Sequence, residues 1–146
     1  MLDEFTRDIP VKVGALAKAL GLRVVIASLP LNISGLIQPD EDGYVIKVNR
    51  FESKGRQRFT IAHEIAHYLL HRDKISSGVV DSVLYRSKLS SRAEAEANKL
   101  AADIVMPKEA VLEALQDHSG RMEEAVISDL ASQFGVSRQA MEIRLS

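Results

Sequence analysis

The sequence lacks cysteine and tryptophan, and aromatic residues make up only 5% of its 146 residues. Without cysteine, neither a disulfide framework nor a thiolate metal site can form, so any zinc site must use imidazole and carboxylate ligands. No apolar run approaches the length of about 20 residues that spans a membrane. The N-terminus is polar and acidic, unlike a signal peptide. These absences predict a cytoplasmic protein with no membrane partner.

An excess of charge of either sign is also missing. Lys and Arg number 19 against 20 Asp and Glu, for a net charge of −1, so nothing draws the whole chain to nucleic acid. Hydrophobic residues at 46% and charged residues at 27% are typical of a globular protein. The length fits one domain with a real core, and we expect a single domain over residues 1–146.

The most informative stretch is a predicted helix over residues 59–71 that contains the motif His-Glu-x-x-His. Apolar side chains cover more than half of its circumference, which predicts a mostly buried helix. The remaining face is narrow and has no Lys, Arg or Asp, so we expect it to look inward or into a cleft. That face carries Thr60, His63, Glu64, His67 and His71.

His63 and His67 stand one turn apart, about 6 Å along the axis, and can converge on one metal ion at Zn–N distances of about 2.0–2.1 Å. Glu64 lies beside them, where it would act as general base on a metal-bound water. His71 would lie about 12 Å from His63 on a straight helix, so we expect it near the substrate or behind the ligands, not on the metal. Two core histidines with satisfied hydrogen bonds remain the alternative.

A second helix is predicted from Ser91 to about Val105. One of its sides carries oppositely charged i,i+4 pairs and should face solvent. Those pairs are Arg92 with Glu96, and Lys99 with Asp103.

Glu94 falls on the other side of this helix, among apolar residues. Because a buried carboxylate needs a cation, we predict that Glu94 is the third metal ligand, with Asn98 in a supporting position one turn later. A capping box formed by Ser91 and Glu94 is the competing role. Glu96 is the weaker candidate for the ligand because it lies with the charges.

The elements predict an α+β fold, in which a small antiparallel sheet of about three strands packs on a helical domain around the buried central helix, as in zincins. A helix over Val11–Leu20 precedes three β-rich segments whose short connections favour an antiparallel meander. The segments are Leu22–Ala27, Ile33–Gln38 and Gly43–Asn49. We divide the chain into residues 1–54 (first helix and sheet), 55–106 (metal-site helices) and 107–146 (C-terminal helices).

Polar residues outside these elements are interpreted in three groups. The basic residues from Arg50 to Arg58 are interpreted as a solvated approach to the central helix, with phosphate contact as the alternative. Tyr85 and Arg86, in a predicted loop over residues 72–90, are candidates for substrate contact or oxyanion stabilisation. His118 is expected on a surface loop.

Residues 126–145 resemble a helix-turn-helix, with the turn near Gly135. Only Arg138, Gln139 and Arg144 would be placed to reach DNA. We favour two packed helices that close the core over a DNA-reading unit.

Together these features make the chain resemble the ImmA/IrrE family of HExxH metallopeptidases. The matching stretches cover residues 46–49, 56–71, 94–107 and 134–145, and the resemblance extends over nearly the whole chain, residues 10–145. Two positions depart from the family pattern, Leu100 where Phe is usual and Ala66 where Gly is common, and both concern packing.

The resemblance implies that His63, His67 and Glu94 bind Zn²⁺ and that Glu64 is the catalytic acid/base. It also implies an intracellular endopeptidase that cleaves a partner protein, typically a helix-turn-helix repressor of a mobile element or stress regulon. The alternative is a non-catalytic regulatory module that binds a repressor or DNA through its C-terminal helices.

Overall fold

The structure is a computed structural model that describes residues 5, 7–75, 79–82, 90–118 and 123–146. Within them lie helices α1 to α6, strands β1 to β4 and a 3₁₀ turn, so the α+β class is confirmed. The helices are α1 Val13–Ala19, α2 Lys54–Leu70, α3 Ser91–Val105, α4 Lys108–Gln116, α5 Glu124–Phe134 and α6 Arg138–Leu145, the strands are β1 Leu22–Ala27, β2 Ile33–Asp40, β3 Gly43–Asn49 and β4 Val79–Ser82, and the 3₁₀ turn is Arg72–Lys74.

The sheet differs from the predicted antiparallel meander. Its strand order is β1-β3-β2-β4, so the described residues add a fourth strand beyond the predicted three. β2 is antiparallel to both of its neighbours, whereas β1 runs parallel to β3. The strand positions were predicted well, but the partner of β1 was not.

Asn49, at the end of β3, explains this arrangement. The connection from β1 to β2 is short, and the prediction assumed that such a connection joins adjacent strands. Instead it passes the end of β3, where the fully buried Asn49 holds it. The side-chain Nδ2 lies 3.3, 3.0 and 2.8 Å from the carbonyl oxygens of Leu29, Pro30 and Ile33. These bonds let β3 sit between β1 and β2.

The central helix α2 is buried as its sequence predicts. Ser53 caps its N-terminus by accepting a hydrogen bond from the backbone N–H of Arg56. Every residue from 60 to 67 is buried, because α2 contacts β2, β3, α1 and α3. The polar residues of the motif therefore lie inside the molecule.

Arg58 was predicted to be solvated, with the other basic residues that precede the central helix, and the structure contradicts this. Its guanidinium donates to the carbonyl oxygens of Phe134 and Gly135 at 2.9 and 3.0 Å, and also to that of Val11. Burial lowers the pKa of Arg58 from its ordinary value. Gly135 ends α5 with φ 65°, and a Cβ there would lie 2.8 Å from the Arg58 guanidinium. Arg58 thus ties the turn between α5 and α6 to α2.

The C-terminal helices pack as predicted, with Phe134 and Met141 fully buried in the common core. Arg144 donates to the carbonyl oxygen of Met106 and pairs with Asp103 at 2.8 Å. Among the described residues, no helix is both long and apolar enough to cross a membrane.

Candidate metal centre

The two motif histidines come together on the buried face of α2. His63 is 9% and His67 0% exposed. Their rings lie 4.6 Å apart between centroids and are nearly perpendicular, at 89°. This geometry follows from their i,i+4 spacing, which places the two side chains one above the other.

Glu94 reaches the same point from α3, and the cap of that helix explains why. The N-cap is Ser90, whose hydroxyl accepts from the Ala93 N–H at 3.1 Å, and not Ser91 as the capping-box alternative required. The cap therefore begins one residue earlier, and Glu94 does not occupy the capping-box position. Its Oε1 lies 3.2 Å from His63 Nε2 and 2.9 Å from His67 Nε2.

These three side chains fit a divalent metal ion. One ligand atom from each lies within 4.8 Å of the other two. Bonds of about 2.0–2.1 Å at tetrahedral angles would place ligand atoms about 3.3 Å apart, close to the two distances from Glu94. A His₂Glu donor set is one that catalytic zinc sites use. The Glu94 side chain is 21% exposed, so solvent reaches the centre from that side.

Glu64, the neighbour of His63 in the sequence, is completely buried. It faces β2 at Gly35, where a Cβ would lie 2.5 Å from Thr60 Cγ2, 2.8 Å from the Lys47 carbonyl oxygen and 3.8 Å from Glu64 Oε2. Only glycine allows the strand to approach α2 this closely. The β2 backbone at Gly35 therefore lies directly beside the Glu64 side chain.

The structure places His71 behind His67, outside the cluster of His63, His67 and Glu94. The helix ends at Leu70, and the buried His71 turns back so that its Nδ1 is 3.1 Å from His67 Nδ1. Its Nε2 is 3.2 Å from Glu96 Oε1. We refer to His67, His71 and Glu96 as the histidine relay.

One set of tautomers satisfies the whole relay. If His71 Nε2–H donates to Glu96, the other nitrogen of His71 is an acceptor, and His67 Nδ1–H donates to it. The Nε2 lone pair of His67 then points toward Glu94, where it can bind a metal. Hydrogen bonds of this kind orient metal-binding histidines.

Other predicted site residues lie elsewhere. Asn98 is exposed and lines a groove between α2, α3 and α6, one helical turn beyond Glu94. Tyr85 and Arg86 lie outside the described residues. His118 is on the surface, as expected, and its Nε2 lies 2.9 Å from Asp129 Oδ2.

Sequence reasoning missed the pairing of Glu96 with His71 and the role of Gly35. The second i,i+4 histidine pair, His67 with His71, was a usable signal for the relay. A glycine inside a strand pattern, such as Gly35, is a usable signal for close backbone approach.

Residues 17–146 match the model of the Peptidase_M78 family, the IrrE N-terminal-like domain. The chain belongs to this family. The resemblance to ImmA/IrrE proteins is thereby confirmed.

Two known proteins are similar to this chain. Metallopeptidase ImmA of Bacillus subtilis (strain 168) is 30% identical over 115 residues, which are 77% of this chain and 63% of that protein. The solved structure of a Mycobacterium tuberculosis transcriptional regulator matches with a TM-score of 0.60 and 24% identity, over 90% of this chain and 39% of its own. The latter likeness concerns the fold alone. The chain thus spans less than two thirds of each relative.

Proposed function

We propose that this chain is a zinc-dependent endopeptidase that cleaves a partner protein, with a helix-turn-helix transcriptional repressor as substrate. The observation that carries the proposal is the convergence of His63 Nε2 and His67 Nε2 on Glu94 Oε1, at 3.2 and 2.9 Å, beside the buried Glu64. Membership of a metallopeptidase family supports it.

In this proposal His63, His67 and Glu94 hold the ion and Glu64 moves the proton. A bound zinc ion would polarise the scissile carbonyl and lower the pKa of a coordinated water. Glu64 accepts the proton from the attacking water as the new C–O bond forms. It then donates this proton to the leaving nitrogen as the C–N bond breaks. The products are one carboxylate and one amine, so the atoms balance.

The burial of Glu64 suits this role. The Glu64 carboxylate is completely buried and lies beside the β2 backbone at Gly35, so its orientation is restricted. The histidine relay fixes the orientation of His67 on the other side of the metal centre. Preorganised groups of this kind lower the cost of reaching the transition state.

A repressor substrate is supported more indirectly. It is implied by the ImmA/IrrE resemblance. The regulated genes, proposed to be those of a mobile element or stress regulon, follow from the resemblance alone.

The alternative of DNA binding through α5 and α6 receives less support. Arg138 pairs with Glu124 and Glu142, and Arg144 is tied to Met106 and Asp103. Arg138 and Gln139 are both exposed, but Arg138 is already ion-paired and Gln139 is neutral. Neither side chain offers the unpaired positive charge on which phosphate contacts depend.

The test is cleavage of purified helix-turn-helix repressors from the same genome by the zinc-loaded protein, with fragments identified by mass spectrometry. Glu64→Gln should keep its metal and lose cleavage by at least about a hundredfold, the usual contribution of a general base. A variant that keeps both zinc and full cleavage would remove Glu64 from the mechanism. Absence of cleavage with every repressor would contradict the proposed substrate.

A further inference from the structure

A groove of about 430 Å³ opens between α2, α3 and α6. Its apolar lining includes Phe59, Ala102, Met106 and Ile143. Ile143 is 66% exposed, so its side chain is accessible to a ligand that enters the groove. The size and apolar character fit a large aliphatic or aromatic side chain of a ligand.

The groove continues the metal centre along the packed helices α2 and α3, which we call the α2–α3 seam. Phe59 precedes His63 by four residues on α2, and Asn98, also in the lining, follows Glu94 by four residues on α3. Residues four apart share a helix face and differ by about 6 Å along the axis. The groove therefore lies one helical turn from the ligands on the same faces of both helices.

Arg56 gives this groove a charge. It is exposed and lines the groove. None of the ion pairs between described residues includes Arg56. Arg138 and Arg144, by contrast, are both ion-paired. A guanidinium in this position, beside an apolar groove, favours a ligand that has an acidic group next to an apolar side chain.

We propose that the groove is a specificity pocket for the polypeptide substrate. It takes one large apolar side chain, with an Asp or Glu next to it in the substrate facing Arg56. This inference rests on the proposed function. An extended chain advances about 3.3 Å per residue, so a substrate following the α2–α3 seam places this side chain about two residues from the scissile bond.

The first test is cleavage-site profiling. A library of peptides from a proteome digest is incubated with the zinc-loaded protein, and the residues flanking each cut are read by mass spectrometry. Wild type should enrich a large apolar residue at one position near the cut, with an acidic neighbour. Ile143→Glu should raise KM for such peptides roughly tenfold, the usual effect of losing an apolar contact, with kcat nearly unchanged.

Matched controls separate the groove from general effects. Leu112→Glu makes a similar change at a large aliphatic residue elsewhere, 50% exposed on α4, and should leave the profile as in wild type. Arg56→Glu should remove the acidic preference, whereas Lys18→Glu on α1 should not. Profiles that are unchanged in both Ile143→Glu and Arg56→Glu would overturn the proposal.

The second test does not depend on hydrolysis. The zinc-loaded Glu64→Gln protein is titrated with the blocked peptide Ala-Ala-Leu-Glu-Ala and with Ala-Ala-Ser-Gln-Ala, while methyl NMR signals of Met106 and Ile143 are followed. Only the first peptide should shift them in a saturable way. Methyl shifts without any library cleavage would contradict the proposed hydrolysis and keep the groove. Cleavage of the library without methyl shifts would contradict the proposed groove and leave the proposed hydrolysis standing.

Discussion

The contact between His71 and His67 can be tested by a single substitution. Replacing it by alanine should weaken Zn²⁺ binding by roughly tenfold to a hundredfold, the usual effect of removing a partner of a metal ligand. The reason is that His67 Nδ1 would lose the acceptor 3.1 Å away, and with it the tautomer that presents Nε2 to the metal. Competition with a chromogenic chelator measures the affinity.

The matched control is His118→Ala. That residue also pairs with a carboxylate, Asp129, but at the surface and outside the candidate metal centre. The His118→Ala variant should bind zinc with the affinity of the wild type. If the two variants bound zinc equally well, the histidine relay would have no part in positioning His67.

The positions of some residues in and near the centre could be predicted from the sequence, and those of others could not. Glu94 followed from its position on a helical wheel, because local periodicity decides which face a residue occupies. Glu96 did not, since a wheel places it with the charges while its partner, His71, comes from another part of the chain. Asn98 was placed behind the ligands on spacing alone, yet it is exposed, because the two helices open into the groove one turn beyond Glu94.

The contact between β2 and α2 is the feature to test at the level of elements. Gly35→Ala should lower the free energy of unfolding by about 1–3 kcal/mol, the usual cost of overpacking. The added Cβ would meet Thr60 Cγ2 at 2.5 Å and the Lys47 carbonyl oxygen at 2.8 Å. It should also lower kcat, because Glu64 lies against the same site. Urea denaturation and peptide hydrolysis are the measurements.

Gly14→Ala provides the control, since a Cβ there meets nothing within 4 Å and the residue lies in helix α1. Alanine at such a site should stabilise the protein by about 0.5–1 kcal/mol. If Gly35→Ala and Gly14→Ala changed the free energy of unfolding equally, the close contact between β2 and α2 at Gly35 would be contradicted.

The elements themselves were largely readable from the sequence, and their pairing was not. β1 and β3 have the predicted bounds, because alternation and turn residues are local signals. The parallel pairing of β1 with β3 depends on the Asn49 side chain and three carbonyl groups 16 to 20 residues away. A pattern within one strand does not contain such a contact.

For the whole molecule, zinc should act as a stabilising ligand. His63 and His67 come from α2 and Glu94 from α3, so only the folded chain assembles the site, and a ligand that binds the folded state alone stabilises it. Zinc at a hundred times its Kd should add about 2.7 kcal/mol, which corresponds to a rise in Tm on the order of 10 °C. Thermal unfolding followed by circular dichroism, with and without chelator, measures this.

Glu94→Gln tests the same prediction with little change in shape. It should unfold near the temperature of the metal-free wild type, whether zinc is present or absent. A Tm of wild type that does not respond to zinc would contradict the assembly of one metal centre from α2 and α3.

The cap at Ser90 has a consequence for how this protein can vary. Ser90 fixes the start of α3, and each residue between it and Glu94 turns the helix by about 100°. Substitutions at exposed positions in that interval leave the carboxylate aimed at the histidines, whereas a single insertion or deletion there would rotate it toward solvent. The spacing of four between cap and carboxylate is therefore under stricter constraint than the identity of the residues that fill it.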